Sequence, residues 1–217
     1  MKKRILPIPL ILLIPIAMLA VVIVAGIYRF SLSDEEILAK FPSSQVSYDP
    51  VVEAIFDLKT INPWTIKVPE TNAYAFINEV DELKSLAFGR YDSGLERGMV
   101  TVDTQRLSAV TLGEARFFVA PMAVSSQGSG VFHYLGLFKY DQQISRVVLI
   151  DQLLLGDRVQ IQILEFAQHP DSQSRNQLVR EGFVGFTQHS TTQSFAEAPS
   201  EKQLISFSFD TQSIDKQ

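Results

Sequence analysis

Between Arg4 and Arg29 the sequence carries no charged residue, and residues 5–28 read ILPIPLILLIPIAMLAVVIVAGIY. A helix rises about 1.5 Å per residue, so roughly 20 apolar residues cross the ~30 Å hydrocarbon layer of a membrane. The run is long enough, which predicts a single transmembrane anchor over residues 1–30. Lys2, Lys3 and Arg4 precede it, and Arg29 alone flanks the far side. That bias places the C-terminal side outside the cytoplasm. Tyr28 stands where an interfacial aromatic is expected. The competing reading is a cleaved signal peptide, with Val24-Ala25-Gly26 as its small-residue cleavage site. Such peptides have apolar cores of about 7–15 residues, shorter than this run. Pro7 and Pro9 fall near the helix start, where proline is tolerated, and Pro15 is expected to kink the helix. Ala25-Gly26 is a small-residue pair for packing against another membrane helix.

The remainder of the 217 residues suffices for one globular domain, at roughly 100–200 residues per domain. Fourteen of the fifteen Phe lie in it and give it ample surface to bury against the entropy of folding, which argues against disorder. The formal net charge is −5, and no basic block occurs outside the first four residues. A nucleic-acid partner needs a positive stripe to neutralise phosphates, so none is expected. The absence of cysteine rules out thiolate metal sites, a cysteine nucleophile, disulfides and a lipoprotein-type anchor. It leaves the compartment open, because an exported domain with a sizeable core does not need disulfides.

Residues 31–63 read as a stalk with short helices. In "SLSDEEILAK", Ser33 is a good N-cap and Glu36 sits three residues on, a capping box. In "DPVVEAIF", Asp49 and Pro50 suit an N-cap and first helical position, with a strand over residues 51–58 as the rival reading. From Trp64 the period changes to two. "WTIKVPE", "NAYAFINEV", "GMVTVDTQRLSAVTL", "ARFFVAPMAVSS", "GVFHYLGLFKYD", "SRVVLIDQLLL", "DRVQIQILEFA", "LVREGFVGFTQH" and "KQLISFSFDT" are rich in β-branched and aromatic residues and bounded by turn formers. The chain is therefore expected to be mainly β, with residues 64–210 forming an antiparallel β sandwich or open barrel and residues 211–217 a flexible tail.

Within "LLLGDRVQIQILEF" a hydrophobic run stops at Gly156-Asp157-Arg158 before alternation resumes. Gly156 is expected at a bulge or tight turn needing positive φ. Asp157 suits a turn that bonds backbone amides two residues on. Val159, Ile161 and Ile163 should then face one way, and Gln160, Gln162 and Leu164 the other. The triplet reads as a structural corner rather than a catalytic pair, and Gly128 and Gly130 read likewise as turn residues.

The side chains capable of chemistry are scattered. His133, His169 and His189 are too far apart in sequence for the usual spacing of zinc ligands, so no metal site or cofactor is expected. Ser129 lies between two glycines but lacks the strand–turn–helix setting of a nucleophile elbow. A carboxylate pair for glycoside hydrolysis would be drawn from Asp141, Asp151, Asp157 and Glu165, and spacing singles out no two of them. Two polar loops are better candidates for contact: residues 169–177, with Arg175, and residues 187–200, with His189, Thr191, Gln193 and Phe195. Long irregular loops on a β scaffold often bear function.

"QGSGVFHYLGLF", "LLLGDRVQIQILEF" and "GFVGFTQHSTTQSFAEAPSEKQLISFSFD" follow one another in an order that resembles a small β-rich module of exported bacterial proteins. There a Gly-Ser-Gly-x-Phe strand precedes a Leu-Gly-Asp-Arg-Val strand, a further strand, a Pro-containing loop and a last aromatic strand. The resemblance covers residues 86–209 and implies location and fold, since the module has no established activity. Related modules often bear an acidic loop before the Gly-Ser-Gly strand. Here Glu114 is the only acid in that place, too few for a calcium ion's 6–8 oxygen ligands. The expectation is a single-pass inner-membrane protein. Its β domain lies outside the cytoplasm and meets an envelope protein or glycan without catalysis. The alternative is an envelope hydrolase using carboxylates or His133.

Overall fold

The computed structural model describes residues 10–31, 48–113, 115–128, 130–167 and 179–217, with side chains of the first helix described at 14–27. The chain divides into two compact units, Met1–Ser47 and Tyr48–Gln217. In the first, helix α1 (Leu10–Ser31) contains Pro15. Ile14, Met18, Val21 and Val22 on it are exposed. Residues 14–27 span about 21 Å at the helical rise, and among the described residues no helix is long and apolar enough to cross a membrane. The capping box at Ser33 and Glu36 lies outside the described residues.

The second unit makes the protein mainly β. It opens on helix α2 (Pro50–Phe56), where Asp49 accepts a hydrogen bond from the Val52 amide at 2.9 Å and Pro50 has no N–H to leave unpaired. The helix, not the strand, forms there. Its stop is Asp57, at φ 53°, whose N–H donates to the Glu53 carbonyl. Val51, Val52 and Phe56 are buried, and Phe56 meets Trp64 and Phe118 edge-on at 4.7 and 4.6 Å. Residues 48–63 are thus part of the β unit rather than of a stalk, because α2 has an apolar face that fills the core.

A nine-stranded sheet follows, ordered β2-β1-β9-β8-β7-β5-β4-β3 with β6 on β7. Its strands are β1 (Trp64–Lys67), β2 (Tyr74–Ile77), β3 (Glu79–Asp81), β4 (Leu86–Asp92), β5 (Arg97–Asp103), β6 (Ser108–Leu112), β7 (Ala115–Ser126), β8 (Val131–Asp141) and β9 (Arg146–Asp157). Pairing is antiparallel except between β1 and β9. The sheet curls until β2 lies on β4, where the Asn78 amide reaches the Phe88 carbonyl at 3.3 Å. Closure needs a residue without Cβ at Gly89: a Cβ there would stand 2.1 Å from the Phe76 carbonyl oxygen. The resulting barrel is filled by Trp64, Ile66, Ala87, Val100, Val102, Phe118, Met122 and Phe138.

Strands β10 (Gln160–Phe166), β11 (Arg180–Gln188), β12 (Glu201–Phe209) and β13 (Ile214–Lys216) form a second, antiparallel sheet. It packs on the outside of the barrel, where Phe117, Val119, Leu135, Leu137 and Leu155 meet Val184, Phe186, Phe207 and Phe209. Strands β7 and β8 are therefore covered on both faces, which explains why "RFFVAPM" and "YLGLF" are continuous hydrophobic runs rather than alternations. Residues 211–217 are not a free tail: β13 pairs with β12, Ile214 is buried, and its amide donates to Asp151 Oδ2 at 2.9 Å.

Candidate interaction site at the Gly-Asp-Arg corner

Strand β9 ends in the corner expected from the sequence. The β8–β9 register shifts between His133 and Tyr134, and Gly156 has φ 147° and Arg158 φ 51°. Asp157 works differently from a local turn residue. Its Oδ1 accepts from the Val131 amide across the strand pair at 2.8 Å, and its Oδ2 meets Arg158 Nη1 at 3.2 Å. The Arg158 amide in turn donates to the Val131 carbonyl at 2.7 Å. Gly130 fits under this arrangement because a Cβ there would press on the Phe132 ring, 3.0 Å away. The Gly128 amide reaches the Ser126 hydroxyl, and Ser129 lies outside the described residues.

After the corner, Val159 is buried and Ile161 packs on the second core, but Ile163 is 45% exposed while Leu164 and Phe166 turn inward. The alternation read from the sequence breaks because a bulge falls between Ile161 and Ile163 in the pairing with β11. One extra residue moves every following side chain to the other face.

The β10–β11 pairing sets Gln160 beside Thr187, so the end of β11 reaches the corner. The loop that follows folds onto it. The Arg158 guanidinium lies over the Phe195 ring at 4.5 Å, and the His189 ring is 5.1 Å from the same ring. His189 Nε2 pairs with the Glu197 carbonyl at 2.8 Å. Gln193 ties the loop internally: its Oε1 accepts from the Ser200 hydroxyl at 3.0 Å, and its Nε2 donates to the Ala198 carbonyl. Gln193 is thus a staple rather than a contact residue. Thr191 is exposed. Arg175, His169 and the rest of residues 168–178 lie outside the described residues. Phe195, despite two ring partners, remains 62% exposed. The loop thus presents an aromatic ring backed by a fixed guanidinium.

The carboxylates proposed for hydrolysis lie in separate surroundings. Asp141 Oδ1 accepts from the Gln143 amide at 2.9 Å, within the β8–β9 turn at the other end of β8. Asp151 holds Ile214, and Asp157 holds Val131. Glu165 is exposed on β10. His133 lines a separate 320 Å³ cleft with Thr101, Asp103, Pro121, Val159 and Ile161. Burial pushes its pKa below the ordinary value, against the opposing pull of the Asp157 charge. Asp103 in that cleft is bonded to Arg106 and to the Gln105 amide. Among the described residues no group of three or more His, Asp or Glu is arranged to hold a metal ion. Sequence reasoning missed the Arg158–Phe195 contact, since the two residues are joined only through strand pairing. No family model, curated protein or solved structure matches this chain.

Proposed function

We propose that this protein is a membrane-tethered, extracytoplasmic interaction module of the bacterial envelope, without catalytic activity, that engages an envelope protein through the Phe195 loop. The observation that carries the reading is an exposed Phe195 ring seated on Arg158. Exposed aromatic and arginine side chains are the types enriched where interfaces concentrate their binding energy. The scaffold beneath them is rigid, with Asp157, Val131 and Gln193 fixing both sides of the contact.

The tether rests on α1. The support is the sequence there: residues 5–28 are uncharged and predominantly apolar, a run long enough to span a bilayer as a helix. A helix exposing apolar side chains all round requires apolar surroundings. Within the β unit the chain starts beside the β8–β9 turn, through the Thr60 hydroxyl bond to the Ser145 carbonyl, whereas Arg158 pairs with Val131 at the opposite end of β8. Eleven residues of strand separate these ends by roughly 35 Å. A membrane tether raises the effective concentration of the loop for a membrane neighbour.

The test is site-specific photocrosslinking in the native membrane from position 194 and, as control, from position 142. A discrete adduct from 194 alone, lost on Phe195→Ala, supports the module. Identical adducts from both positions, or an adduct indifferent to Phe195→Ala, remove the loop from the reading. Recovery of the full-length chain in the soluble fraction refutes the tether.

A further inference from the structure

Strands β2, β4 and β5 turn an uncovered face outward on the barrel. Strand pairing fixes what stands on it. Arg90 pairs with Met99 and Asp92 with Arg97. The Asn78–Phe88 bond sets β2 antiparallel to β4, so Phe76 lies opposite Arg90 and Tyr74 opposite Asp92. Two rows result: Phe76-Arg90-Met99 and, one repeat along, Tyr74-Asp92-Arg97. Their inward neighbours Ala75, Ile77, Tyr91 and Val100 are buried. The small residues of β2 thus face the core while its two aromatics face solvent, 54% and 50% exposed. Folding gains little from that choice. An open cavity of 790 Å³ lies over these rows, with Gly98 in its lining.

The charges on the face do not cancel. Asp92 and Arg97 pair at 2.7 Å, and Arg90 is exposed with no hydrogen bond or ion pair among the described residues. One cation therefore remains on the face that carries the two aromatic rings, on a chain of net charge −5.

We propose that this face is a second binding site, distinct from the Phe195 loop, for an acidic saccharide. A pyranose ring has an apolar C–H face that stacks on Tyr74 or Phe76. Side chains two apart on a strand stand about 6.8 Å from each other, which provides adjoining platforms for linked rings. The Arg90 guanidinium presents paired donors that match a sugar carboxylate in bidentate geometry. An added peptide strand is disfavoured, because β2 runs close beside β4 here, with Gly89 against the Phe76 backbone. An anionic membrane is disfavoured too, since polybasic lipid sites need clusters of about 4–8 cations.

The test is calorimetric titration of the full-length chain in neutral detergent with tetragalacturonic acid and with its methyl ester. The acid should bind, and the ester about tenfold or more weaker, the factor expected for losing a charge-assisted hydrogen bond. Arg90→Gln should bring the acid down to the level of the ester without changing the ester. Tyr74→Ala and Phe76→Ala should weaken both ligands, whereas Lys202→Gln on β12 should change neither. Equal binding of acid and ester, insensitivity to Arg90→Gln, or binding of neither ligand overturns the proposal. So does Arg90-dependent binding to phosphatidylserine vesicles in place of the saccharide.

Discussion

Two phenylalanine truncations separate a presented side chain from a structural one. Phe56 is 2% exposed and meets Trp64 and Phe118 edge-on. Truncating such a core ring to alanine costs about 3–5 kcal/mol. A domain of this size loses roughly 2–4 °C in Tm per kcal/mol, so Phe56→Ala should lower Tm by about 6–20 °C. Phe195 is 62% exposed, so little more than a third of its surface is covered. Full burial of a phenylalanine is worth about 1.5–3 kcal/mol, and the covered part therefore ~0.5–1. An exposed cation–π contact such as that with Arg158 adds about 0.5–1 kcal/mol. Phe195→Ala should then cost about 1–2 kcal/mol and lower Tm by roughly 2–8 °C. The single tryptophan, Trp64, lies in the barrel core and reports unfolding by fluorescence in a denaturant series. If Phe195→Ala destabilises the protein as much as Phe56→Ala, the ring is a staple for the loop, and its role as a presented contact is refuted.

Other changes act at single places in the fold. Gly89→Ala should prevent barrel closure, because its Cβ collides with the Phe76 carbonyl, while Gly185→Ala meets only ordinary contacts; comparing the two denaturation midpoints checks this. His133 has a pKa lowered by burial, so in the window below its ordinary value the unfolded chain binds the proton more readily and stability falls as pH falls. Tm measured between pH 8 and pH 5 should decline less steeply in His133→Gln. Asp210 has a pKa lowered by the Gln212 and Ser213 amides. The stability it contributes is present above the ordinary carboxylate value and lost as pH falls through the folded value, so Asp210→Asn should flatten the acid limb of the same curve. Asp151→Ala removes the acceptor for the Ile214 amide, and hydrogen exchange at residues 214–216 should accelerate while that of β11 is unchanged.

The β character was legible because alternation survives wherever a strand has one face in the core, as in β2 and β5. The helix start was legible too at α2, where Asp49-Pro50 is a local signal that needs no tertiary help, beside the strand that the same run allowed. The tiered arrangement was not, because two-sided burial of β7 and β8 depends on a second sheet far along the chain. Strand β13 was missed for a similar reason: "IDK" has no pattern of its own and is fixed by β12 and by Asp151. The carboxylates weighed as catalytic acids also had a local meaning. "DELKS" and "DQQIS" each place an Asp at a strand end and a Ser at positive φ, with the Asp accepting from amides inside the turn. Asp92 and Asp210 do the same in the turns that follow β4 and β12. An aspartate at a strand end is first a turn former here, and reading Asp141 so removes one of the four candidates for hydrolysis.

The candidate site shows why a corner and a contact surface need not be rival readings. Arg158 takes a positive φ because the chain must leave β9 and enter another sheet within two residues. The Asp157 carboxylate holds its guanidinium at the corner. The first pair of β10 with β11 then delivers residues 189–200 to the same spot, and Phe195 comes to rest on Arg158. The aromatic ring is thereby held by the element that turns the chain. Loosening the corner should therefore weaken the contact surface before it weakens the core. Asp157→Asn keeps the acceptor for the Val131 amide but removes the charge facing Arg158. It should leave Trp64 fluorescence unchanged and reduce crosslinking from position 194. A change in Trp64 fluorescence of the folded protein would mean that the corner belongs to the core and that the surface reading is wrong.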